Sequence, residues 1–182
     1  MSKPSLVIVV VEDAHHRILA YRYLSERGLG EHQIRIERSP SGKGSAENWV
    51  RGRCAKEVSV YRRRQAQTAL IIVIDADTGT VQDRLRQLDQ AFEDGGINAA
   101  QAARERIARL IPKRNVETWI LCLNGHGVYE EANYKNTRND WTDLIPPAAK
   151  TLSEWTRRGT ALPAHCVDSL QHGIQELKRL AL

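Results

Sequence analysis

Acidic residues stand at the ends of the two most apolar segments of this chain. Glu12 follows the segment Leu6–Val11, while Asp75 and Asp77 follow the segment Leu70–Ile74. Clustered carboxylates repel one another unless they are protonated or neutralised, and a hard divalent cation such as Mg²⁺ or Mn²⁺ neutralises them well. If the fold brings these three residues together, the pattern therefore predicts a metal site formed by Glu12, Asp75 and Asp77.

The two apolar segments predict strands that are buried on both faces. Continuous rather than alternating hydrophobicity in so short a run is typical of a parallel sheet covered by helices. Shorter strands are predicted at 33–37 and 108–111. Helical periodicity and capping signals predict helices over about residues 14–27, 46–65, from Val81 to the pair Gly95-Gly96, after Asn115, and from Val167 onward. This alternation predicts an α/β, Rossmann-like fold with helices on both faces of a mostly parallel sheet.

The carboxyl edge of such a sheet is where ligands bind, because loops and helix N-termini converge there. A 2-1-3 strand order would place Glu12 opposite Asp75 and Asp77. Residues i and i+2 of an extended chain point to one side, so we expect Asp75 and Asp77 to present their carboxylates together. The alternative is that these acids cap the following helices or face solvent.

Length and composition favour an ordinary globular protein. The chain has 182 residues, 41% of them hydrophobic, and a formal charge of +5, which predicts a single domain spanning residues 1–182. Its three cysteines are odd in number and show no paired spacing, which favours a reducing cytoplasm. The longest apolar runs are far shorter than the roughly 20 residues that cross a bilayer, so no membrane partner is expected.

Other phosphate chemistries fit the motifs less well. The segment 41–45 has the composition of a phosphate-binding loop, but residue 37 is Glu rather than the first Gly, and Gly44 replaces the required Ser or Thr. The D-x-D motif has Gly79 at the fifth position and lies outside the first strand, unlike the haloacid-dehalogenase signature. A receiver-type phosphoacceptor domain remains an alternative, although the separation of the acidic positions is long for that compact fold.

Two motifs resemble those of the Toprim domain: Val-Val-Val-Glu12, and Ile-Ile-Val-Ile followed by Asp75-Ala-Asp77. The segment 111–119, Ile-Pro-Lys-Arg-Asn-Val-Glu-Thr-Trp, is similar to small stand-alone or ATPase-associated nucleases of the overcoming-lysogenization-defect type. The Toprim-like part covers about residues 5–125. A polar loop at 124–143 and a helical C-terminal extension at 146–182 complete the expected organisation.

The resemblance implies a Mg²⁺- or Mn²⁺-dependent endonuclease that hydrolyses DNA or RNA, and it suggests the effector of an ATPase-associated bacterial defence system. It makes Asp75 and Asp77 metal ligands and Glu12 either a ligand or the general base. Glu117 would be a further ligand by analogy, or simply an acid that stabilises its helix N-terminus. The expected partners are nucleic acid, an ATPase and a second copy of the chain. The alternative is a non-catalytic nucleic-acid-binding or partner-regulated module.

Basic residues supply candidate phosphate contacts. Lys135, in the polar loop, is a candidate cation for the reacting phosphate, or a solvated lysine. Lys43 offers a charge between two glycine amides, or lies in a plain turn. The second predicted helix carries Arg51, Arg53 and Arg62, which form either a strip that follows a nucleic-acid backbone or a solvated helix face.

Overall fold

Four parallel strands form the centre of the computed structural model, which describes residues 3–40, 45–63 and 67–182. The strands are β1 Leu6–Val11, β2 Ile34–Arg38, β3 Thr68–Val73 and β4 Ile107–Leu110. They form one sheet of order β2-β1-β3-β4. The helices are α1 Ala14–Glu26, α2 Ala46–Arg63, α3 Val81–Asp94, α4 Ala99–Ala102, α5 Val116–Leu123, α6 Ile145–Trp155 and α7 Asp168–Arg179.

The α/β fold and the central placement of the two apolar strands are confirmed. Within β1, Val7 and Val9 pack into the core on one face of the sheet, while Ile8 and Val10 pack into the core on the other. The same alternation holds in β3. Strands covered on both sides need apolar residues at every position, which explains why both segments are continuously hydrophobic.

Helices cover both faces of the sheet. Residues of α1, α5, α6 and α7 pack together on one face, and residues of α2, α3 and α4 pack on the other. The indole of Trp119 in α5 donates a hydrogen bond to Ser169 Oγ in α7 at 2.8 Å. Next to it, a Cβ added at Gly173 would come within 2.5 Å of the Trp119 ring, so glycine allows the close approach of these helices.

Several boundaries differ from the expected ones by a residue or two. A 3₁₀ turn at Glu31–Gln33 delays β2, and β4 begins at Ile107. The interval 124–144 contains no helix or strand, as the polar composition predicted, and α6 and α7 form the C-terminal helical extension. Lys43 lies outside the described residues. None of the described helices has the length and apolar character required to cross a bilayer.

Candidate metal centre

Glu12 and Asp75 meet at the carboxyl edge of the two central strands. Val11 pairs with Val73, so the residues that follow β1 and β3 leave the sheet side by side. The backbone N–H of Asp75 donates to Glu12 Oε2 at 3.3 Å, and the Asp75 residue is only 3% exposed. The strand order expected from the sequence therefore brings these two carboxylates together.

His16 is the third member of this group, and sequence reasoning did not select it. Asp13 is the N-cap of α1 and accepts the backbone N–H of His16 at 3.1 Å. This cap places the buried His16 ring beneath the strand ends, where Nε2 donates to Asp75 Oδ1 at 2.9 Å. Glu12, His16 and Asp75 each offer a ligand atom within 4.8 Å of the others. The sequence offered one signal for His16: it is the third residue after Asp13, an Asp that can cap a helix next to the predicted acidic site.

The charges of this group are strongly coupled. Burial raises the pKa of the Glu12 carboxyl, and the neighbouring Asp75 raises it further. Burial also raises the pKa of Asp75, although His16 opposes this effect. For His16, burial lowers the pKa, but the carboxylates of Asp75, Asp13 and Glu12 outweigh burial and raise it to about 9. Without a metal, His16 is therefore a cation at neutral pH and balances part of the acidic charge.

The carboxylate of Asp77 does not lie beside that of Asp75, contrary to what the sequence predicts. Its φ of 54° is in the left-handed region, so the two-residue alternation of an extended chain does not apply between Asp75 and Asp77. The Asp77 side chain is 56% exposed and lies 3.7 Å from Nη2 of Arg84. Arg84 is buried and donates from Nε to the Asp75 carbonyl at 2.8 Å, which fixes the backbone of that residue. Asp77 is thus outside the group of three, and its role as a ligand stays a prediction.

Glu117 is fully buried in the first turn of α5 beside this group. His15 Nδ1 donates to Glu117 Oε1 at 2.6 Å, and Glu117 Oε2 has no hydrogen-bond partner among the described residues. The charge of Glu117 is close enough to raise the pKa of Asp75 further. The structure therefore brings Glu117 near the acidic edge, although it is not one of the three residues whose ligand atoms converge.

The polar loop places Lys135 at the entrance of this site. Lys135 Nζ lies 3.3 Å from Asp13 Oδ2, and its backbone N–H donates to Asn133 Oδ1 at 3.0 Å. Asn133 in turn accepts from Asn115 Nδ2 at 2.9 Å, at the start of α5. Burial lowers the pKa of Lys135, but Asp13 outweighs this effect and raises it, so the ammonium stays charged.

The arginines of α2 carry acidic partners. Arg53 pairs with Glu37 and Glu57, Arg51 with Glu47, and Arg62 with Glu105. Their charges are therefore partly compensated within the fold. Binding of a nucleic-acid backbone by Arg51, Arg53 and Arg62 stays a prediction, and it would have to compete with these ion pairs.

Comparisons with protein-family models, with curated proteins and with solved structures find no match to this chain.

Proposed function

We propose that this protein is a Mg²⁺- or Mn²⁺-dependent, Toprim-like endonuclease that hydrolyses phosphodiester bonds in nucleic acid. The observation that carries the proposal is the meeting of Glu12 and Asp75 at the carboxyl ends of adjacent parallel strands. Ligands of open parallel sheets bind at this edge.

The donor set fits a hard divalent cation. Glu12 and Asp75 supply carboxylate oxygens, which Mg²⁺ and Mn²⁺ prefer, and an imidazole is also an acceptable ligand for transition metals. Burial raises the pKa of both carboxyls, so ionising them together is costly without a cation beside them. A bound divalent ion removes that cost. In this proposal Asp77 is a further ligand only if its exposed side chain turns toward the pair.

A bound metal would polarise the scissile phosphate and lower the pKa of a coordinated water. Asp75 is held from two sides for this task, since Arg84 binds its carbonyl and His16 binds its carboxylate. Glu12 is more exposed than Asp75 and has a raised pKa, which suits it to accept a proton as well as to hold the cation. Lys135 offers a fixed positive charge to a substrate phosphate.

The partners follow from the resemblance. An ATPase partner and a role in bacterial defence rest on the segment 111–119, and a cytoplasmic location rests on the cysteine pattern. Nucleic acid is the substrate, and a second copy of the chain is a further expected partner.

Cleavage assays test the proposal. The purified protein and an Asp75→Asn variant are incubated with labelled DNA and RNA in Mg²⁺, in Mn²⁺ and in chelator. We expect metal-dependent cleavage that Asp75→Asn reduces by about 100-fold or more, because Asp75 would be a direct ligand and loss of even an outer-shell partner of a metal costs about 10- to 100-fold. Asp94→Asn is the matched control, since Asp94 is exposed at the far end of α3. Equal cleavage by the wild type and Asp75→Asn would refute the assignment.

One observation favours the alternative of a non-catalytic module. His16 is a buried cation that balances Glu12 and Asp75 without any metal. A module of this kind binds nucleic acid without turnover, and its affinity is insensitive to chelator and to Asp75→Asn. The same set of proteins therefore separates the two functions.

A further inference from the structure

Two cysteines that are distant in sequence meet at the C-terminal end of α5. Cys122 lies in the last turn of that helix, and Cys166 lies just before α7. The Cys122 thiol donates to the carbonyl of His165 at 3.4 Å. That carbonyl belongs to the peptide bond that links His165 to Cys166, so the Cys122 sulfur rests against the backbone of Cys166.

Both thiols are buried and free, and each shifts the pKa of the other. The Cys166 thiol contacts the carbonyl of Val167 at 3.9 Å, so both sulfurs lie along the same short segment. Their interaction is the largest influence on both groups. It lowers the pKa of Cys122 to about 7 and raises that of Cys166. A thiolate formed in this pair is thus stabilised by the neighbouring thiol that keeps its proton.

We propose that Cys122 and Cys166 are a site of reversible oxidation, at which a small-molecule disulfide such as oxidised glutathione converts the two thiols into an intramolecular disulfide. This inference is independent of the proposed nuclease activity. The product would join the end of α5 to the start of α7 and would enclose the polar loop that carries Lys135 in a covalent ring.

The chemistry balances as two thiol–disulfide exchanges. The Cys122 thiolate attacks one sulfur of oxidised glutathione, which forms a mixed disulfide and releases one glutathione thiolate. Cys166 then loses its proton to a released thiolate and attacks the Cys122 sulfur, which expels the second glutathione. The protein loses two protons and two electrons, and one oxidised glutathione becomes two reduced glutathiones.

Access to the buried sulfurs requires only a local opening. The segment 161–167 includes Cys166 and the His165 carbonyl that Cys122 contacts, and it has no helix or strand. Ala164 and His165 in this segment are exposed. Such irregular segments open at lower free energy than the elements they connect. The third cysteine differs, because Cys54 is buried inside α2 on the opposite face of the sheet, where burial raises its pKa.

The test is peptide mapping after oxidation of the folded protein. Wild type and a Cys54→Ala variant are incubated with oxidised glutathione, their remaining thiols are alkylated, and proteolytic fragments are identified by mass spectrometry. We expect a fragment that links Cys122 to Cys166 in both proteins and its disappearance after reduction. A Cys166→Ser variant should accumulate glutathione on Cys122, because its resolving thiol is missing.

Three results would overturn the proposal. They are alkylation of both cysteines after oxidation of the wild type, glutathione left unresolved on Cys122 of the wild type, or a disulfide between two chains. The wild-type map decides the matter even if a cysteine variant fails to fold.

Discussion

Replacing His16 with Gln in the metal-free protein should remove a pH-dependent part of its stability. The pKa of His16 rises from 6.5 to about 9 on folding, because the carboxylates around it outweigh its burial. One pKa unit corresponds to about 1.4 kcal/mol, so the charged ring contributes on the order of 3 kcal/mol. Since the folded pKa is raised, this contribution is complete below pH 6.5 and is lost as pH rises through about 9.

Urea unfolding in chelator, at about pH 6 and about pH 9.5, measures this effect as the difference between wild type and His16→Gln. The comparison uses the difference between the two proteins because His16 is not the only group that changes stability with pH. The Cys122 thiol has a lowered pKa and adds stability as pH rises. That opposite trend is present in both proteins and cancels. Gln at position 16 retains an N–H donor for Asp75. His126→Gln is the matched control, because His126 is exposed in the polar loop.

We expect the stability advantage of wild type over His16→Gln to shrink by about 2–3 kcal/mol between these two pH values. The His126→Gln control should show no such change. An advantage that stays constant across the range would mean that His16 is neutral in the folded protein, and the charge balance described for the site would be wrong.

Two further predictions concern the entrance of the site and the helix packing behind it. Lys135→Gln should weaken binding of a labelled oligonucleotide, and the number of cations released on binding, read from the salt dependence of the affinity, should fall by about one. Lys150→Gln, on the exposed side of α6, should change neither quantity. Equal effects of the two substitutions would show that Lys135 makes no specific contact. Gly173→Ala should lower the free energy of unfolding by about 1–3 kcal/mol, because the new Cβ meets the Trp119 ring. Gly52→Ala should instead raise the free energy of unfolding by up to about 1 kcal/mol, since its Cβ would enter open space on a helix. Denaturant titration measures the free energy of unfolding of both variants. An unchanged value for Gly173→Ala would contradict the packing of Gly173 against Trp119.

The sequence was most informative where burial dictates residue type. Continuous apolar runs predicted β1 and β3, and their acidic ends predicted that Glu12 and Asp75 would lie at one edge of the sheet. This inference succeeded because strand direction and order fix where each strand ends, almost independently of side-chain detail. The loop at 124–143 was likewise predictable from its polar, glycine-containing composition.

Contacts between distant residues were harder to foresee. No local pattern could show that Glu117 binds His15, or that Cys122 meets Cys166, because these pairs depend on how α5 packs against α1 and the C-terminal segment. Asp77 illustrates a different limit. A single left-handed residue after β3 turns its side chain away from the direction expected for an extended chain.

In the proposed function, Glu12 and Asp75 together hold a divalent cation. The most direct test is a crystal of the protein soaked in Mn²⁺ and measured at a wavelength where manganese scatters anomalously. We expect an anomalous peak between the Glu12 and Asp75 carboxylates, with His16 beside it. Well-ordered carboxylates with no peak between them, and His16 still bonded to Asp75, would contradict it.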